Sequence, residues 1–267
     1  LIMKRKLLIA CAFVGMGTFV NAQTTMVKND NGFVVTPEAG DWALGADASP
    51  FLSYVGNMLN GTTGNSMNNA FVNNNAIFGK YFVDENTAYR GTLRITTISN
   101  SATTLTDTSS SSTPSYVEDE TKNSGFGFYL SGGLEKRRGH GRLQGYYGGE
   151  LGLGRSGAPT QTNTYGLAIS ATNPGSRDTE VKAGSSFTLG LRGFVGAEYF
   201  VIPKLSLGVE FGWGLGFSST GEGETTSEQW NGTAVETTTA RTGKSSSFGF
   251  GTDAGTPAGS VRIMYHF

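Results

Sequence analysis

From Trp42 onward, apolar and polar positions alternate in segments of about ten to thirteen residues, with the period of a strand and the length of one crossing a bilayer at a tilt. In 205–217 every odd position is apolar or aromatic, and every even one is Ser, Gly or Glu. Its neighbour, 187–200, places Phe187, Leu189, Leu191, Val195, Ala197 and Tyr199 on one face, and Thr188, Arg192 and Glu198 on the other. Only 201–204 separates the two, which predicts a tight hairpin with Pro203 where no ladder donor is needed. The same alternation marks strands over 125–136 and 143–154, joined by the polar turn 137–142, and over 75–83 and 87–98, joined across 84–86. Residues 42–54 supply a first strand and 257–267 a last, making eight.

The connections alternate between short and long. The three tight turns contrast with four stretches rich in Asn, Ser, Thr and Gly, at 55–74, 99–124, 155–186 and 218–246. Short turns at one end and long loops at the other are the mark of outer-membrane barrels, whose long loops lie outside the cell. The predicted fold is therefore all-β: a transmembrane antiparallel up-and-down β-barrel of eight strands over residues 40–267. Two of the long stretches carry strand content of their own. Tyr165, Leu167 and Ile169 alternate before a turn at 173–176, and Trp230-Asn-Gly-Thr233 carries a type I′ hairpin signal. Both are expected as hairpins above the membrane, since 177–186 and 222–229 have no apolar face to offer lipid. A soluble sandwich or lipocalin-like barrel would also alternate, but its polar face would be rich in Lys and Glu. Here that face is mostly Gly, Ser and Thr.

The chain opens with the parts of a cleavable signal peptide over 1–22: Lys4, Arg5 and Lys6, an apolar stretch from Leu7 to Val20, and a small-residue exit at Asn21-Ala22. That stretch is short for a transmembrane helix and carries Gly15 and Gly17. Residues 23–39 form a polar segment expected on the periplasmic side. The single cysteine, Cys11, sits too early for a lipoprotein cleavage box and leaves with the signal, so disulfides and thiolate chemistry are not expected. Cleavage leaves 17 basic residues against 21 acidic, a net charge of −4, which is no nucleic-acid footprint. Glycine, at 40 of 267 residues, and 11% aromatics placed in alternating runs favour strands over disorder.

If the apolar parity faces lipid, the other parity faces the lumen. It contains Asp47, Lys80, Arg90, Arg94, Glu135, Glu150, Arg192, Glu198, Glu210 and Arg262, five acids and five bases. An eight-strand barrel is just wide enough for side chains to fill, so such charges must pair. A salt-bridged plug is the expectation; a small porin lined by the same residues is the alternative. Catalysis has little support. The histidines are His140, in the turn 137–142, and His266, beside the C-terminus, so no His reaches the outer rim where a serine hydrolase or zinc site would need it. Glu222 and Glu224 read as solubilising loop charges. No cofactor and no metal site are expected.

The last residues place Val261, Ile263, Tyr265 and Phe267 on one face, ending on an aromatic. This resembles the C-terminal signal that outer-membrane proteins present to the barrel-assembly machinery. Together with the Asn-Ala-Gln exit, Gly-Asp-Trp-Ala-Leu-Gly at 40–45 and Phe-Gly-Lys-Tyr-Phe at 78–82, the chain resembles outer-membrane β-barrel or porin-family proteins of Gram-negative, Bacteroidetes-type bacteria. These are similar to the membrane domain of outer-membrane protein A. The resemblance covers roughly 40–267 and carries fold and location, with no active residues and no peptidoglycan-binding domain. It implies an integral protein of the cell outer membrane, contacting its lipid and lipopolysaccharide, inserted by the assembly machinery and open to an outer-membrane protein partner. The expected role is structural or interactive. A lipid-modifying enzyme is the remote third reading.

Overall fold

A computed structural model describes residues 28, 32, 34–48, 76–108, 115–251 and 259–267. Thirteen strands and no helix lie among them: β1 (Trp42–Asp47), β2 (Ala76–Asp84), β3 (Thr87–Asp107), β4 (Tyr116–His140), β5 (Leu143–Ser156), β6 (Thr160–Thr164), β7 (Ser176–Lys182), β8 (Ser186–Ile202), β9 (Leu205–Thr220), β10 (Gly223–Trp230), β11 (Val235–Thr242), β12 (Ser245–Gly251) and β13 (Gly259–His266). Eight pair antiparallel into a closed ring in the order β1, β2, β3, β4, β5, β8, β9, β13, with β13 returning to β1. Closure leaves the ring strands no free edge at this level.

One end of the ring carries tight turns. Glu85 and Asn86 join β2 to β3, Pro203 and Lys204 join β8 to β9, and Gly141 and Arg142 join β4 to β5. Gly141 (φ 74°) and Lys204 (φ 64°) take the left-handed conformation that such short reversals demand. The turn expected over 137–142 is thus two residues long, because β4 runs on to His140 in register with β5. Residues 34–41 fold against this end: the Val35 carbonyl accepts from the Lys204 amide, the Gly40 amide donates to Phe82, and Lys204 pairs with Asp41.

The other end departs from the sequence reading. The stretch 99–124, expected as a loop, is mostly strand: β3 and β4 stay paired from Thr87–Lys136 to Asp107–Tyr116. Its polar residues hold the ladder by cross-strand contacts, with Ser101 donating to Glu120 and Thr106 to Asp119, each at 2.7 Å. Beyond the ring, Glu120–Ser124 of β4 pair with β6, β6 with β7, β7 with β10 and β10 with β11, forming an outer sheet. The stretches 155–186 and 218–246 therefore hold four strands outside the ring, and β12 runs along β9 beyond β13. The β10–β11 hairpin closes over 231–234, but only Gly232 has positive φ (98°). A type I′ turn needs two such residues. Instead the Asn231 side chain accepts from the Thr233 and Ala234 amides. The expected first strand ends at Asp47 as described; 49–75, the signal peptide and most of 23–39 lie outside the described residues.

Alternation sorts the ring into two surfaces. Outward, large apolar side chains stand exposed all the way round, including Leu44, Ile77, Leu93, Leu130, Leu151, Leu191 and Val209. Aromatics gather at both ends of this face: Trp42, Tyr81, Tyr89, Tyr199 and Tyr265 near the tight turns, and Phe126, Phe187 and Phe217 towards the outer sheet. Inward stand charged and aromatic side chains, small residues such as Ala43, Ala88 and glycine, and polar ones such as Thr92, Gln144 and Ser206.

Candidate functional site

The ring interior is the candidate site, a chain of buried ion pairs contributed by seven strands. Eight of the ten charges selected by parity lie in it: Lys80, Arg90, Glu135, Glu150, Arg192, Glu198, Glu210 and Arg262, each at most 5% exposed. Asp47 and Arg94 are half-buried nearer the outer sheet, where the Arg94 guanidinium lies 5.9 Å from the Tyr129 ring centre.

Two glutamates are the hubs. Glu210 on β9 accepts from three arginines: Arg90 at 2.7 and 3.2 Å, Arg262 at 2.9 and 2.7 Å, and Arg192 at 2.8 Å. The doubled contacts use the planar guanidinium fork against both carboxylate oxygens. Glu198 on β8 meets Arg137 at 2.6 Å and Lys80 at 3.4 Å. Glu150 and Glu135 link the hubs, Glu150 pairing with Arg192 and Arg90, and Glu135 with Arg90, Lys80 and Arg137. Removing such charges from water costs several kcal/mol per ion, so each must be met by partners on more than one side. Aromatics fill what remains. Arg90 and Arg262 lie 3.9 Å from the Phe194 and Phe78 ring centres, and Lys80 lies 4.7 Å from that of Tyr146. Glycine makes the space: a Cβ at Gly212 would fall on the Arg192 guanidinium.

Two members were missed from the sequence. Arg137, assigned to a turn, is 2% exposed and bridges Glu135 and Glu198. His266, set aside as a terminal residue, is fully buried against Glu198 and Ser206. Parity contained both. Arg137 is two residues from inward Glu135, and His266 four from inward Arg262. The expected balance of five acids and five bases becomes four carboxylates against five cations, with His266 beside them.

Ser206, His266 and Glu198 invite comparison with a hydrolytic triad, and the geometry rejects it. In a relay the acid holds one imidazole nitrogen and the serine the other. Here Ser206 Oγ and Glu198 Oε1 both approach Nε2, at 3.0 and 3.3 Å, while Ser206 itself donates to Glu198 at 2.5 Å. His266 Nδ1 has no hydrogen-bond partner among the described residues, and all three residues are at most 1% exposed. The cluster braces the turn-side end of the network. Among the described residues no group of His, Cys, Asp or Glu is placed to hold a metal.

Above the network, a cavity of about 630 Å³ opens towards the outer sheet, with Arg94, Thr96, Asn123, Tyr129, Ser156 and Thr188 among its walls. On the ring exterior, Val261, Ile263, Tyr265 and Phe267 share the outward face of the closing strand, and Tyr265 and Phe267 stack at 6.2 Å. Compared with protein-family models and with curated protein sequences, the chain matches none.

Proposed function

We propose that this chain is an exported integral protein of the bacterial outer membrane, a transmembrane up-and-down β-barrel of eight strands whose lumen is plugged by paired charges. Its role is structural or interactive, without enzymatic activity, and the outer sheet is the part presented to a partner. The observation that carries this reading is the inversion of the ring: carboxylates and guanidiniums inside, Leu, Ile and Val outside. A water-soluble ring would bury the second set and expose the first. The outward apolar run lasts from Phe126 to Leu134 on β4 and from Phe187 to Tyr199 on β8. At ~3.3 Å per residue and a tilt of ~40°, these span roughly 20–30 Å along the axis, which matches the lipid-facing band of outer-membrane barrels. Aromatics at both ends of that band fit the girdles at the two interfaces. On this reading the tight turns are periplasmic, residues 1–22 are the export signal, and the outward face of β13 ending in Phe267 is the segment the assembly machinery recognises.

The protein is expected to stay with membranes through alkaline carbonate washing. It should also migrate faster on a cold detergent gel than after boiling, as folded barrels do. Release into the carbonate supernatant, or stability in buffer without detergent, would overturn the reading. A small porin is the competing function, and it would require the ring of pairs around Glu210 to part.

A further inference from the structure

Two rows of glycine lie on the outward face of the ring, and they differ. Gly149 and Gly193 are paired neighbours next to Trp213, and a Cβ on Gly193 would rest against the Trp213 indole at 3.7 Å. That row has a lid. Gly79, Gly91 and Gly132 are likewise in register across β2, β3 and β4, but a Cβ on Gly79 or Gly132 would meet nothing within 4 Å. Here the backbone of Gly79 and Gly91 is the floor of an open slot of about 510 Å³, and Gly132 lies next in register beside it. Trp42, Tyr81 and Tyr89 form its turn-side wall, and Ile77, Leu93 and Leu130 the opposite one.

We infer that this slot is a binding site for a glycerophospholipid, with an acyl chain laid over the glycines and the phosphate at Lys136. The inference rests on the membrane reading above. The slot is apolar and walled by side chains that the fold holds in register, so it accepts a run of methylenes. Lys136 supplies the charge. It is exposed on the outward face of β4, two outward steps from Gly132 and so about 13 Å along the strand. Its ammonium donates to Thr87 at 2.7 Å, which fixes it beside the aromatic wall. Amphipathic rings at the level of a cation are the arrangement that meets lipid headgroups. Because that level is the turn-side end, the lipid belongs to the periplasmic leaflet.

The test uses the full-length protein in zwitterionic detergent with phosphatidylglycerol carrying a spin label on its acyl chain, read by electron spin resonance and by native mass spectrometry. The wild type should hold one immobilised lipid. Gly79→Leu, which fills the slot from an open position, should lower occupancy at least tenfold, and Gly132→Leu, beside the slot and in register with Gly91, should lower it less. Lys136→Ala should weaken retention several-fold for phosphatidylglycerol and little for a neutral diacylglycerol. Because these side chains face outward, all three variants should keep the folded gel mobility. Equal occupancy in wild type and both leucine variants would overturn the site while leaving the membrane reading intact, as would a second protein copy in place of lipid. Failure of the wild type to enter micelles or membranes at all would overturn both.

Discussion

The ring interior and the outer sheet are both antiparallel, both rich in small residues and both crossed by ion pairs, yet those pairs stand in different surroundings. Inside, Glu210 and its three arginines are at most 4% exposed at the side chain. In the outer sheet, Arg241 and Glu224 meet at 3.5 Å with side chains 71% and 46% exposed, and Lys244 and Glu222 likewise at 3.5 Å. The same chemistry therefore does different things. A solvated pair contributes little because water competes for both partners. A buried one adds little net stability when complete, yet becomes very costly when one partner is removed. The interior network accordingly ties seven of the ring strands together, whereas these two exposed pairs decorate strands held by their backbone ladder.

That contrast breaks most sharply at Glu210. Glu210→Gln leaves three buried guanidiniums short of their carboxylate and should cost about 3–5 kcal/mol, read as a lower urea midpoint for unfolding from lipid vesicles. Gly212→Ala comes next. Its methyl group would displace the Arg192 guanidinium and should cost about 1–3 kcal/mol in the same assay, while Gly79→Ala on the open outward face should change stability by less than about 0.5 kcal/mol. In the outer sheet, Glu224→Ala should shift the midpoint by no more than about 0.5 kcal/mol, and added salt should erase even that.

The smallest effect concerns Asp119. Thr106 Oγ1 and the Gly166 amide donate to its carboxylate, holding its pKa below the usual carboxylate value. A lowered folded pKa means that its contribution is present above about pH 4 and is lost as pH falls through the folded value. A carboxyl NMR titration should place the Asp119 midpoint below that of an unstructured aspartate, and Thr106→Val should raise it. A normal midpoint in the wild type would remove Asp119 from the contacts that hold this sheet together.

Much of the ring was legible in the sequence because a strand with an exposed apolar face on one side and a filled, charged interior on the other must alternate at every residue. The parity that separates Leu191 from Arg192 and Val209 from Glu210 needs no tertiary information. Arg137 escaped because Arg137-Arg-Gly-His-Gly-Arg142 has the composition of a turn, and only the carboxylates of Glu135 and Glu198 draw it inward. His266 escaped because it lies one residue from the end of the sequence. The outer sheet was illegible for a different reason. Strands such as β11, Val-Glu-Thr-Thr-Thr-Ala-Arg-Thr, have no buried face, so no apolar period marks them. Their pairing follows from the β3–β4 hairpin continuing past the ring, a tertiary fact.

The central claim is a membrane barrel closed by its own charges. Its most direct test is the current through a planar lipid bilayer holding the reconstituted protein. The account predicts a silent bilayer with no sustained unitary conductance; a steady, reproducible single-channel current in the wild type would contradict it and make the lumen a pore.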